Sequence, residues 1–293
     1  MAGWDDILRE MQNTKMPIDF IRQKYVRKLS ELTGRNVIAY YSAWLSCHIG
    51  NLDINDLDMT GFMNSIKGMD CNKGLDLILH TPGGSPVAAE AIVKYLRSKF
   101  GNDIRAIVPQ LAMSAGTMMA CASKEIVMGK HSSLGPIDPQ FNGAPAYNIK
   151  EEFEQAQKDL SEHPENIHYW KIKLSQYPPA FMKTAMDAIE LSGILVKEWL
   201  ETCMFNGQEN RAKVELIVST LNEHDSSKLH GRHFDIEFCK EIGLKILEME
   251  EQSELQDAIL SVHHSFIASF SSGPMTKIIE SSNNKTWIAY NKQ

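Results

Sequence analysis

The stretch Leu75–Leu96, LDLILHTPGGSPVAAEAIVKYL, carries the clearest signal of fold class in the chain. An apolar run of strand length meets Pro82, Gly83 and Gly84, and an alanine-rich helical pattern follows at once. A turn alone needs only one glycine. Two in succession at a strand-to-helix junction mark a place where something must approach the main chain closely. The spacing predicts a helix over Pro86–Phe100, with Val87, Ala91, Ile92, Tyr95 and Leu96 on one face. Ser85 ahead of Pro86 reads as its N-cap.

The same alternation continues downstream. DIRAIVP (Asp103–Pro109) reads as a strand, SAGTMMACAS (Ser114–Ser123) as a short helix and EIVM (Glu125–Met128) as a further strand. Strands alternating with helices through short connections predict an α/β fold with a mostly parallel sheet covered by helices. Upstream, Ile18, Ile21, Tyr25, Leu29 and Leu32 recur at helical steps and Gly34 makes a stop, while NVIAYYSAW (Asn36–Trp44) is β-branched and aromatic. Beyond the Gly/Pro-dense Ser132–Gly143 the patterns are mostly helical, over Lys150–Leu160, Pro179–Met204, Arg211–Leu221, Ile236–Ile242 and Gln252–His263. The expected division is a helical segment at 1–34, an α/β core at 35–145 and a mostly helical part at 146–293 that packs on the core.

Composition narrows the partners. Of 293 residues, 43% are hydrophobic and 23% charged, which is ordinary for a globular chain. A formal net charge of -7 without a basic cluster argues against nucleic acid or an anionic membrane as the main partner. Cys47, Cys71, Cys121, Cys203 and Cys239 are scattered with no C-x-x-C pair, which reads as reduced thiols in a cytoplasmic protein. The opening residues are charged and lack an apolar leader region. The longest near-apolar run, Leu111–Ala122, is 12 residues and contains Ser114 and Thr117, against about 20 for a bilayer span. No metal-ligand spacing appears, and no metal or cofactor is expected.

Chemistry concentrates at the two strand-to-helix junctions, HTPGGS (His80–Ser85) and AMSAGTMMACA (Ala112–Ala122). In a parallel sheet both lie at the carboxyl edge, where ligands collect. Gly83 and Gly84 can bare their N–H groups, and Ser114 opens a helix whose amino end favours negative charge. The set predicts a nucleophile, Ser114, beside an oxyanion hole with donors from Gly84 and Ala115.

HTPGGS followed by AMSAGTMMACASKEIVMGKHSSLGPIDPQ resembles the serine dehydrogenase proteinase group, related to signal peptide peptidase A and the caseinolytic Clp peptidases of the Clp/crotonase superfamily. The likeness is close over Leu75–Gln140 and weaker at HGRHFDIEFCKEIGL (His230–Leu244) and at SSGPMTKIIE. It implies a crotonase-like spiral of ββα units, a homo-oligomer and cleavage of a protein or peptide. It places the nucleophile at Ser114, the oxyanion hole at Gly84 and Ala115, and the turn that shapes the hole at Gly83.

The proton acceptor stays open at this point. Clp peptidases carry a histidine just after the third strand, where this chain has Ile137 and Asp138. Signal-peptide-type relatives use a lysine, which must be desolvated to lose its proton near neutral pH. The candidates are Lys173, among Trp170, Ile172, Leu174 and Tyr177, then Lys158 in an acidic helix, with His131 and Asp138 as helpers. Two rival readings are an acyl-CoA enzyme using the same oxyanion hole, and a scaffold that kept the fold and lost the base.

Overall fold

The computed structural model describes residues 4–13, 18–48, 50–141, 143–222 and 231–291, so His230 of the weaker motif lies outside the described residues. Every residue of β1 (Asn36–Ser42) and β2 (Leu75–His80) is buried. Such strands must be covered on both faces, which explains why they read as near-continuous apolar runs. Alternate side chains then split between two cores. Ile38, Tyr40, Leu75, Leu77 and Leu79 face one, and Val37, Ala39, Tyr41 and Ile78 face the other.

Among the described residues the main sheet has seven strands in the order β11-β10-β1-β2-β3-β5-β9. β3 is Ile104–Val108, β5 Glu125–Met128, β9 Ile246–Glu248, β10 Met275–Ser281 and β11 Lys285–Tyr290. β1, β2, β3, β5 and β9 run parallel, and β10 and β11 add an antiparallel edge beside β1. Helix α4 (Pro86–Phe100) makes the crossover from β2 to β3. Ser85 caps it by accepting from the Ala88 N–H at 3.2 Å, with Pro86 in the first turn.

One core packs α3 (Asp58–Ile66), α4 and α5 (Ala115–Cys121) with α8 (Phe181–Trp199) and α9 (Arg211–Asn222). The other packs α1 (Trp4–Asn13) and α2 (Ile18–Thr33) with α11 (Ser253–Ser271). α10 (Ile236–Glu241) leads into β9. The expected α/β class with helices through the second half is found. That half also supplies β9, β10 and β11 at both edges of the sheet, so position 145 is not where the sheet ends. The helical spacing read there covers the helices, whereas short edge strands such as Ile246–Glu248 are too brief to show a period.

At the carboxyl edge a smaller layer assembles. β4 (Leu111–Ala112) pairs with β6 (Ser133–Leu134), single bridges extend it through Thr81↔Ala112 and Leu134↔Phe234, and β7 (Gln140–Phe141) pairs antiparallel with β8 (Ala144–Pro145). α6 (Ala146–Glu162) and α7 (Ile167–Leu174) form an arm, fixed by a small cluster of Ala146, Ile149 and Ala185 with Phe153, Tyr177 and Phe181 around it. Among the described residues no helix is long and apolar enough to cross a membrane.

Candidate active site

The smaller layer brings the two junctions together. The Thr81 N–H donates to the Leu111 carbonyl at 3.1 Å, and the Met113 N–H donates back to the Thr81 carbonyl at 3.0 Å. The chain then reverses at Ser114, whose φ of 51° and ψ of -119° lie outside the usual region for a side-chain-bearing residue. This is the conformation in which a serine at a sharp strand-to-helix turn presents its hydroxyl. Holding it costs about 1–3 kcal/mol. The surroundings impose it: the Gly116 N–H donates to the Met113 carbonyl at 2.8 Å, and Met118 N–H donates to the Ser114 carbonyl at 3.0 Å. The Thr117 hydroxyl adds a brace, donating to the Ala112 carbonyl at 2.8 Å and accepting from the Gly135 N–H at 3.0 Å.

The paired glycines do separate jobs. Gly83, at φ 98°, lies flat against the serine turn, where a Cβ would meet the Ser114 Cβ at 2.6 Å. Its N–H donates to the Thr81 hydroxyl at 3.2 Å, so it shapes the turn without offering a donor. Gly84, at φ 145°, packs against the main chain of Ile54. The Ile54 N–H donates to the Gly83 carbonyl at 2.7 Å and the Ser85 N–H donates to the Ile54 carbonyl at 2.9 Å. That bridge leaves the Gly84 N–H unspent, and the Ala115 N–H likewise has no partner among the described residues.

Gly84, Ser114 and Ala115 line one cavity of about 720 Å³, within the range of ligand-binding clefts. Leu52, Ile54, Met118, Ile137 and Phe141 make its apolar walls, and Ala188 and Ser192 of α8 close it from the helical half. Ser114 is half-buried, without a hydrogen-bonded cap on its hydroxyl. A hydroxyl between two open main-chain donors is an arrangement suited to acyl transfer.

Other predicted residues lie elsewhere. Lys173 sits on α7 in a separate depression with Glu152 and Tyr177, its ammonium 2.7 Å from the Glu152 carboxylate and over the Trp170 ring. The hydrogen bond its ammonium donates to Glu152 holds its pKa above the ordinary lysine value, the reverse of what a base requires. The apolar neighbours in the sequence fail to desolvate it because Ile172 and Tyr169 point outward. Lys158 is exposed on α6. His131 is exposed in the turn after β5, against Gly129, and does not line the cavity. Asp138 is fully buried and accepts from the Gln140 amide at 2.8 Å; its neighbours Ile137, Pro139 and Gln140 line the cavity, and Asp138 itself does not. Within one chain, none of the candidate bases is brought to Ser114.

Sequence reasoning missed the support behind Gly84. The Lys277 ammonium, fully buried on β10, donates to the Asp53 carbonyl at 2.8 Å and to the Asp58 carboxylate at 2.5 Å. The other Asp58 oxygen accepts from the Tyr40 hydroxyl at 2.8 Å and from the Asn55 N–H at 3.0 Å. Burial pulls the Lys277 pKa below its ordinary value, with Asp58 pulling the other way. The network pins Asp53–Asn55, the segment that bridges Gly84. A lone lysine in the apolar run MTKIIE was the available signal.

Two uncharacterized proteins of Methanocaldococcus jannaschii are similar to the chain. One is 33% identical over 149 residues, 50% of this chain and 52% of the relative. The other is 39% identical over 145 residues, 48% of this chain and 49% of the relative. The chain therefore spans about half the length of the curated relatives it matches. The family described as ClpP-like SDH-type serine proteinase matches residues 7–167, which include β1, both glycines, Ser114 and the strands between them. With that match across more than half of its length, the chain belongs to the ClpP-like SDH-type serine proteinase family.

Proposed function

We propose that the protein is a serine peptidase acting through Ser114. The observation that supports this reading is one cavity holding an unspent hydroxyl on a residue at φ 51° and two unspent N–H groups, from Gly84 and Ala115. The Ser114 oxygen would bond to the peptide carbonyl carbon while its proton passes to a base. The charge on the carbonyl oxygen would rest on the two N–H groups, each worth about a hundredfold to a thousandfold in rate. Collapse breaks the C–N bond and the leaving amine takes the proton. Water then attacks the acyl-enzyme by the same route and frees Ser114.

The Ser/Lys form of the reaction needs an amine that the cavity of a single chain lacks among its described lining residues. In this proposal Lys158 or Lys173 acts from a second copy, whose docking buries the amine and, for Lys173, displaces the Glu152 carboxylate that holds it charged within one chain, which makes the homo-oligomer the active form. Among the described lining residues there is no lysine or histidine, which favours a second reading, a non-catalytic member of the family. Labelling with a fluorophosphonate separates the two. The peptidase reading expects label on Ser114, none on Ser114→Ala, and slower labelling of Lys173→Ala or Lys158→Ala. An unlabelled intact protein that cleaves no peptide overturns it in favour of the scaffold.

A further inference from the structure

Among the described residues, the Ser114 cavity has a single ionisable side chain in its lining, Asp53. The remaining polar side chains there are the amides Asn51, Asn55 and Gln140 and the hydroxyls Ser85, Ser114 and Ser192. Asp53 stands beside the oxyanion glycine, its Cβ 3.0 Å from where a Gly84 Cβ would be. The Lys277 cation beside it does not cancel its charge. The Lys277 ammonium touches only the Asp53 main-chain carbonyl, and its charge is matched by the Asp58 carboxylate at 2.5 Å. Among the described residues these three charged groups sum to one negative charge at the cavity wall.

A carboxylate beside a site built for a developing oxyanion opposes that oxyanion unless the ligand brings a cation of its own. Resting on the peptidase reading for where the cleaved bond lies, we infer that Asp53 selects peptides carrying a cationic group next to that bond. Lysine and arginine side chains share this chemistry with a free α-amine. The overall charge of -7 draws the same peptides in. Asp53 is exposed, so solvent screens the pair and the preference is modest, roughly threefold to fivefold.

The test uses Ser114→Ala protein and isothermal titration with three short alanine-based peptides. One is N-acetylated with a central lysine, one is N-acetylated with norleucine in its place, and one has norleucine and a free amino terminus. Tighter binding of the lysine peptide than of its acetylated norleucine counterpart supports a side-chain cation; tighter binding of the free-amine peptide alone supports a terminal one. In either case Asp53→Asn levels the affinities, Asp53→Lys reverses their order and added salt narrows the gap. Equal affinities in the Ser114→Ala protein, no binding of either cationic peptide, or a preference that survives Asp53→Asn overturns the inference. The binding arm requires no chemistry, so failure of fluorophosphonate labelling sinks the peptidase reading without touching it.

Discussion

Gly83 and Ser114 meet across the two chain reversals, with room for no side chain between them: a Cβ on Gly83 would stand 2.6 Å from the Ser114 Cβ and 2.7 Å from the Met113 carbonyl oxygen. Gly83→Ala must therefore push the serine turn away, and at φ 98° the alanine is strained in any case. The expected cost is roughly 1–3 kcal/mol of stability. Fluorophosphonate labelling of Ser114 should slow about a hundredfold, the scale of losing one oxyanion donor. Urea unfolding and labelling rates on the same samples check it, and wild-type labelling in a folded Gly83→Ala protein would contradict the packing.

The Lys277–Asp58 pair is buried on both sides, so removing one partner strands the other charge. Lys277→Met should cost about 3–5 kcal/mol, and Lys277→Met with Asp58→Leu should regain part of it. The two changes are coupled, and a double-mutant cycle by urea denaturation reads the coupling directly. Additive effects would mean that the pair is not the clamp described here.

His80 lies at the end of β2 on the α11 side of the sheet, its ring 5.3 Å from that of His263 and 5.4 Å from that of Tyr41. Burial lowers its pKa from 6.5 to about 4, with the Leu111 backbone opposing weakly, and burial also takes His263 well below its ordinary value. The unfolded chain takes up protons near 6.5 and the folded one does not. Stability is therefore full above pH 6.5 and falls as pH drops toward 4, by roughly 3 kcal/mol for His80. Glu280 works in the opposite sense: burial raises its pKa to about 7, with Arg22 pulling back, so its share is lost as pH rises from 4.5 through 7. The difference between wild type and His80→Phe isolates the first effect. The gap in urea midpoint should shift in favour of the variant on going from pH 7 to pH 4.5.

Thiol reactivity follows burial. Cys121 is fully buried with its pKa pushed up to about 12, and Cys203 and Cys239 are buried with raised values, again from desolvation. Cys47 and Cys71 are half-buried. A chromogenic disulfide reagent should modify Cys47 and Cys71 in the native protein and reach the other three only after denaturation. Fast native modification of Cys121 would contradict the packing of α5.

The strand, the glycine turn and the capped helix of Leu75–Phe100 could be read directly, because each rests on neighbours within a few positions: alternating burial, φ above zero at two glycines, and a serine ahead of a proline. The pairing of HTPGGS with Ser114 was also readable, since parallel strands joined by one helix must end at the same edge. What resisted reading is contact between distant segments. Lys277 finds Asp58 across 219 positions, and Arg22 finds Glu280 across 258. Lys173 looked desolvated among its neighbours, yet an exposed helix face and the Glu152 carboxylate leave it charged. Local backbone preference and apolar period are written into short windows of chain, and they decided the elements and the sharp turn at Ser114. Burial, and with it the protonation of every lysine and histidine, depends on which remote surfaces close over a side chain, and that came only from the packed molecule.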